Sequence, residues 1–264
     1  MKKNLAREKL KRGDAAIGTW LVLPNVMSAQ LMARAGFDWL TVELEHSPTN
    51  WETASQMFAV IAGAGGVPLC LVPWNNGENI KRALDTGAYG VIVPMVNSRA
   101  EAEAVVQAAR YQPLGRRTIG GQLHATNFAT DAATYYAQAN AEILVVVMAE
   151  HIQAIEHAEE ILSVPGIDVV FIGPNDLHNS MGRAPAFESD DRQFTEGLEH
   201  ILKVAHRNGV VPGIHVLNAE AAQRRLEQGF KFIAITSEAG LMLAKAAETA
   251  KTLKLGQGQA AAKY

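Results

Sequence analysis

Acidic residues gather at the ends of short apolar runs in this chain. Glu43 closes Trp39-Leu-Thr-Val-Glu43, with Glu45 and His46 just beyond it. Glu150 follows Ile143-Leu-Val-Val-Val-Met148, and Asp176 follows Asp168-Val-Val-Phe-Ile172 inside Gly173-Pro174-Asn175-Asp176. Carboxylates at the ends of two neighbouring strands can face each other across a gap suited to one hard divalent cation. Mg2+ or Mn2+ accepts one or two carboxylates and fills its remaining positions with water or substrate oxygen. Glu150 and Asp176 can instead cap the helices that follow them or pair with a basic neighbour, and spacing alone leaves both readings open. His46 has the side chain best matched to proton transfer near neutral pH, although a single histidine after a strand is also a common structural residue. Asp85, within a helical stretch, can orient such an imidazole by accepting its second ring proton. His151, beside Glu150, is either a ligand or the start of a helix; His124 and His215 are weaker candidates.

These residues need a scaffold, and the pattern around them supplies one. Eight short apolar runs recur, at 17–23, 39–43, 68–72, 90–94, 143–148, 168–172, 210–214 and 232–235. They are continuously apolar rather than alternating, as strands covered on both faces of a parallel sheet are. Stretches of helical period lie between them, including 27–35, 51–62, 78–86, 99–110 and 219–228. Gly36, Gly87 and Gly229 stand just past three of these, where a left-handed residue closes a helix without a Cβ clash. Eight strand–helix repeats predict an α/β fold of the (β/α)8 TIM-barrel type as one domain over residues 1–264, a usual length for that fold. An amino-terminal helix precedes it. In such a barrel the chemistry collects at the carboxyl ends of the strands, which is where Glu45, His46, Glu150 and Asp176 fall. Two segments break the rhythm. Residues 111–130 read as a long loop insertion, either a lid or a surface excursion, and residues 255–264 read as a flexible tail.

Composition narrows the function classes. Hydrophobic residues make up 48% of the 264 and charged residues 19%, which fits a packed core and not a disordered chain. A formal charge of -3 gives no footprint for nucleic acid. The basic opening run, Lys2 to Arg12, includes Glu8 and reads as the solvated face of a first helix. Cys70 is the sole cysteine and sits in an apolar run, which suits a reducing cytoplasm. No stretch resembles an export signal or reaches the ~20 apolar residues of a membrane span. Neither a Gly-x-Gly-x-x-Gly after the first strand nor a Gly-x-x-x-x-Gly-Lys occurs, so dinucleotide and triphosphate cradles have no support.

Several ordered motifs then carry a specific likeness: Gly36-Phe-Asp-Trp-Leu, Glu43-Leu-Glu-His46, Val72-Pro-Trp-Asn75, Ile80-Lys-Arg-Ala-Leu-Asp85-Thr-Gly87, Val93-Pro-Met-Val96 and Phe171-Ile-Gly-Pro-Asn-Asp-Leu177. Together, from about Gly18 to Ala244, they resemble the HpcH/HpaI aldolase family. The resemblance implies a metal-dependent class II aldolase, of the 4-hydroxy-2-oxoheptanedioate or 2-keto-3-deoxy acid type, that makes or breaks a C–C bond between pyruvate and an aldehyde. By the same resemblance the cation (Mg2+ or Mn2+, with Co2+ or Zn2+ as further options) falls to Glu150 and Asp176. His46, supported by Asp85, becomes the acid–base residue, and Gly173, Pro174, Asn175, Leu71, Met148 and Trp74 become the substrate-binding wall. A homo-oligomer, hexameric and with the carboxyl-terminal helix at 237–253 exchanged between subunits, is likewise implied. No nucleic-acid or membrane partner is.

Two departures from the family pattern stand out. Members carry an arginine three residues before the tryptophan of Val-Pro-Trp-Asn, where this chain has Leu71. They also carry a glutamine two residues before the metal glutamate, where it has Met148. Loss of one oxyanion partner costs about 3–4 kcal/mol in other enzymes. The departures therefore keep two alternatives open: related metal–enolate chemistry, such as an oxaloacetate-type decarboxylase or a condensing synthase, or a barrel that binds a small acid without catalysis. Arg116, Arg117 and His124 in the insertion are the candidates to replace the missing charge.

Overall fold

The structure, a computed structural model, describes residues 1–255. The expected flexible tail falls almost wholly outside the described residues. Helix α1 (Leu5–Lys11) leads into strand β1 (Ala16–Leu21), α2 (Val26–Met32), β2 (Trp39–Glu43), α3 (Trp51–Gly63), β3 (Val67–Leu71), α4 (Gly77–Asp85), β4 (Gly90–Val93) and α5 (Arg99–Ala109). Two helices, α6 (Leu123–Asn127) and α7 (Ala132–Glu142), then precede β5 (Leu144–Ala149). Short helices α8 (Ile152–Glu156) and α9 (Ala158–Leu162) lead to β6 (Val169–Ile172), followed by α10 (Pro174–Ser180) and α11 (Arg192–Asn208). Strand β7 (Val211–Val216), α12 (Ala219–Glu227), β8 (Phe232–Ser237) and α13 (Glu238–Thr252) complete the described chain.

Local sequence sets these boundaries. Asn4, Asn25, Asn50, Asn76 and Asn218 each precede a helix, and each side chain accepts from the amide three residues on. That satisfies one of the donors a helix start leaves unpaired. Gly87 and Gly229 follow α4 and α12 at φ 113° and 108°, the left-handed closure expected of them.

The eight strands close into one barrel with every neighbouring pair parallel, β8 returning to β1. Strand interiors are almost wholly buried, because the barrel core covers one face and the helices the other. Aromatic rings fill the interior. Trp39 stacks on Phe232 with centroids 4.3 Å apart, Phe232 meets Phe171 edge to face at 5.9 Å, and Phe171 meets Trp20 at 5.7 Å. Gly18 makes room for this column, since a Cβ there would come within 2.1 Å of the Trp39 ring.

The end of the barrel where the strands begin is sealed by charge. Asp168, just before β6, accepts from Arg7 of α1 at 2.7 Å, from Arg110 at 2.8 Å and from the Val145 amide at 2.9 Å. Lys3 pairs with Glu142, and Lys9 with Asp38. The basic opening run is thus more than a solvated face: it locks α1 across the barrel floor.

Residues 111–130 leave from the end of α5, and so lie at this same floor. They carry α6, and Arg117 is buried there, ion-paired with Asp85 at 2.8 Å and held over the Tyr111 ring. His124 packs on Tyr135. Within this chain the segment is therefore no lid over the strand ends, and Arg116, Arg117 and His124 cannot replace a charge there. Helix α13 starts at the opposite end; Leu241, Met242 and Leu243 on it are exposed in the single chain.

Candidate active site

A cavity of about 320 Å³ opens where the strands end. Its wall includes Trp20 and Val22 from β1 and its exit, Glu43 and Glu45 from β2 and its exit, and Leu71 from β3. Met148 and Glu150 come from β5 and its exit, Phe171 and Gly173 from β6 and its exit, His215 and Leu217 from β7 and its exit, and Thr236 from β8. Along β1, β2, β5, β6 and β7 and their exits the lining residues are every second one, the set that faces the barrel axis. His46, Pro174, Asn175 and Asp176 complete the rim.

Glu150 is the most constrained of these groups. It is 4% exposed, and its Oε1 accepts from the Met95 amide at 2.8 Å. Met95 turns that amide inward by adopting a left-handed backbone, φ 52°, a strained conformation for a side chain of its size. Burial, together with the nearby carboxylates of Glu45 and Asp176, pushes the Glu150 pKa up to about 8. Burial likewise raises Glu45, to which Glu43 and Asp176 add repulsion that His46 partly offsets. Four carboxylates, those of Glu43, Glu45, Glu150 and Asp176, thus line one cavity whose wall holds no Lys or Arg among the described residues.

The turn after β2 is built on Glu43. Its Oε1 accepts from the amides of Glu45 and His46, the latter at 2.8 Å, and Ser47 donates back to the Glu43 carbonyl. The turn carries His46 to the rim, with Nε2 3.6 Å from Glu45 Oε2 and most of the ring open to solvent. Glu43 Oε2 is buried without a hydrogen-bond partner among the described residues. Its register partner on β3 is Leu71, which offers it nothing.

The structure brings Glu150, Asp176, His46, Gly173, Pro174, Asn175, Leu71 and Met148 together, as the sequence led us to expect. It does not bring Trp74 or Asp85. Trp74 lies beyond β3 with its ring exposed, outside the cavity lining. Asp85 ends α4, which runs back from the strand ends to the barrel floor, and there it pairs with Arg117. Within one chain it stands at the wrong end of the barrel to support His46. Sequence reasoning passed over Trp20, Phe171, Phe187 and Thr236, and ranked His215 low.

Gly173 has a role beyond approach to a ligand. A Cβ there would lie 2.7 Å from Glu150 Oε2 and 3.0 Å from Glu150 Cβ, so Gly173 is what lets the carboxylate lie flat against β6. Gly173→Ala is expected to lower kcat/KM about 100-fold, the usual effect of misplacing a reacting group by ~1 Å, with little change in melting temperature. Parental kinetics would show that this contact does not position Glu150.

Among the described residues no group of three or more His, Cys, Asp and Glu is arranged as a complete metal cluster. The donor set nevertheless fits a hard cation. Mutually repelling carboxylates with only the His46 imidazole as a basic neighbour are stabilised by a divalent ion, which needs only one or two of them.

Fold and mouth together define a (β/α)8-barrel enzyme. Residues 16–244 match the sequence pattern described as HpcH/HpaI aldolase/citrate lyase. The chain is 33% identical to a hydroxypyruvate/pyruvate aldolase of Rhizorhabdus wittichii, covering 92% of this chain and 96% of that one. It is 37% identical to a 4-hydroxy-2-oxo-heptane-1,7-dioate aldolase of Escherichia coli, covering 93% and 92%. The crystal structure of an HpcH/HpaI aldolase from Desulfitobacterium hafniense superposes with a TM-score of 0.87 at 29% identity, over 97% of this chain and 98% of that one. The chain belongs to the HpcH/HpaI aldolase/citrate lyase family, and it is a carbon–carbon lyase of the aldolase type.

Proposed function

We propose that the cavity takes a 2-oxo acid of the pyruvate type and joins it to, or cleaves it from, an aldehyde, using a divalent cation held by Glu150 and Asp176. The observation that carries this reading is the concentration of carboxylates in a cavity without Lys or Arg. It favours a cation over a lysine Schiff base as the source of positive charge. When bound, such a cation supplies Lewis-acid stabilisation of the enolate that forms on bond cleavage. His46 moves the proton to or from the aldol hydroxyl, while the Glu43-bound turn holds the imidazole at the rim. Gly173, Pro174 and Asn175 border the acid end of the substrate. Leu71 and Met148 give an apolar wall where family members carry an arginine and a glutamine. The chain acts as a cytoplasmic homo-oligomer, with the exposed Leu241, Met242 and Leu243 of α13 in the subunit contact.

The test is exchange of the pyruvate methyl protons in D2O, followed by NMR with Mg2+ or Mn2+ added, alongside oxaloacetate decarboxylation. Both should proceed, and both should stop in EDTA. Leu71→Arg sharpens it. The new guanidinium would sit opposite Glu43, whose Oε2 lacks a partner, so the side chain has a place to dock. At least about tenfold faster exchange is expected, a fraction of what one oxyanion partner contributes elsewhere. An unchanged rate would mean that the apolar wall serves a different substrate.

A further inference from the structure

Two polar atoms in the cavity wall have no account in the chemistry above. Trp20 Nε1 and His215 Nε2 are buried and lack a hydrogen-bond partner among the described residues. Buried polar groups are nearly always paired, and in the wall of an open cavity a bound molecule can supply the partner. The two belong together. Their rings meet edge to face with centroids 5.7 Å apart, and Phe187 closes on His215 from another side at 4.9 Å. Both residues line the same cavity as Glu150 and Asp176 but project from β1 and β7, beside β8.

Their chemistry is complementary. Indole Nε1 carries a proton and can only donate. Since Nε2 is unpartnered, the ring's hydrogen bond to the Thr236 backbone falls to Nδ1, and burial keeps the ring neutral by lowering its pKa to about 4. Nε2 is therefore a bare lone pair that can only accept. A donor and an acceptor on two rings in contact match the group that does both through a single oxygen. We propose that Trp20 and His215 form a subsite for a hydroxyl group on the aldehyde partner. A carboxylate would set its charge against the His215 lone pair, and a methyl group would leave both nitrogens unpaired. The aldehyde is accordingly a short hydroxyaldehyde. This rests on the aldolase reading of the site and narrows its second substrate.

The experiment compares glycolaldehyde, acetaldehyde and succinate semialdehyde as partners of pyruvate in the parent enzyme, Trp20→Phe and His215→Leu, with pyruvate proton exchange by the parent as the separate readout of the aldolase reading. The parent is expected to favour glycolaldehyde over the other two by at least about tenfold in kcat/KM, the discrimination a site built to bind a hydroxyl achieves readily. Each variant should bring glycolaldehyde and acetaldehyde within about threefold of each other. The far-ultraviolet circular dichroism and melting temperature of each variant are its folding control, and the parent's own preference needs no variant. A parent that exchanges pyruvate protons but takes acetaldehyde or the semialdehyde equally well overturns the subsite alone. So does a preference that survives in both variants. A parent that exchanges no protons overturns the aldolase reading, and the subsite with it.

Discussion

Glu150→Gln is expected to lower kcat/KM by about 10³-fold or more, the scale of losing a principal electrostatic group. Without divalent ions it should also leave the protein more heat-stable at pH 8 than the parent. Both effects follow from one carboxylate held in a buried site beside Glu45 and Asp176. In the unfolded chain its pKa returns to about 4.5, whereas in the fold it stands at about 8. Between those values the folded form holds a proton that the unfolded chain has released. The stability from that difference is complete below about 4.5 and is lost as pH rises through about 8. Glutamine carries no such penalty. Melting temperatures in EDTA should therefore fall for the parent from pH 5 to 8.5 and fall less steeply for the variant. Some slope remains in the variant because burial also raises Glu43, Glu45 and Glu238. Added Mn2+ should restore the parent at high pH, since a ligand that binds only the folded state stabilises it by mass action, and should do little for the variant. Parallel pH profiles with no response to metal in either protein would remove the cation from the site.

The largest effect on stability should come from the other end of the barrel. Asp168→Ala leaves the Arg110 guanidinium, whose side chain is 2% exposed, without its counter-charge. It also frees Arg7 of α1 and strips the Val145 amide at the start of β5 of its acceptor. Breaking one side of a buried ion pair costs about 3–5 kcal/mol, or roughly 10 °C in melting temperature for a domain of this size. Arg110 keeps the carbonyls of Asn140, Ile143 and Gly166, which should hold the fold together at 25 °C. Urea unfolding would show the loss as a lower midpoint, with kcat/KM of the folded protein near the parental value. A shift under about 2 °C would mean that α1 and Arg110 find other partners.

The architecture was legible in the sequence because parallel strands buried on both faces leave unbroken apolar runs, and all eight strands fall where those runs lie. Glycine closures at Gly87 and Gly229 were readable for the same local reason. Positions on the far side of a long path were harder. Asp85 and Trp74 sit near the strand-end residues in sequence, yet α4 carries Asp85 a full helix length down to the floor, and the Trp74 ring is left in solvent. Trp20 and His215 were findable in principle. Stepping two residues at a time back from Val22 and Leu217 along β1 and β7 reaches both. Apolar composition hid that alternation, because in a barrel the outward residues are as apolar as the inward ones.

Met95 and Thr236 hold positive φ angles, 52° and 40°, at opposite sides of the mouth. Glycine would adopt either conformation freely, and a chain under selection for heat resistance alone would gain by placing it there. That neither position is glycine makes the mouth a poor target for thermostabilisation. The substitutions that relax it most would also slacken the amide gripping Glu150 and the carbonyl fixing His215. Robustness in this barrel is better sought at the floor, where tightening a contact asks nothing of the chemistry.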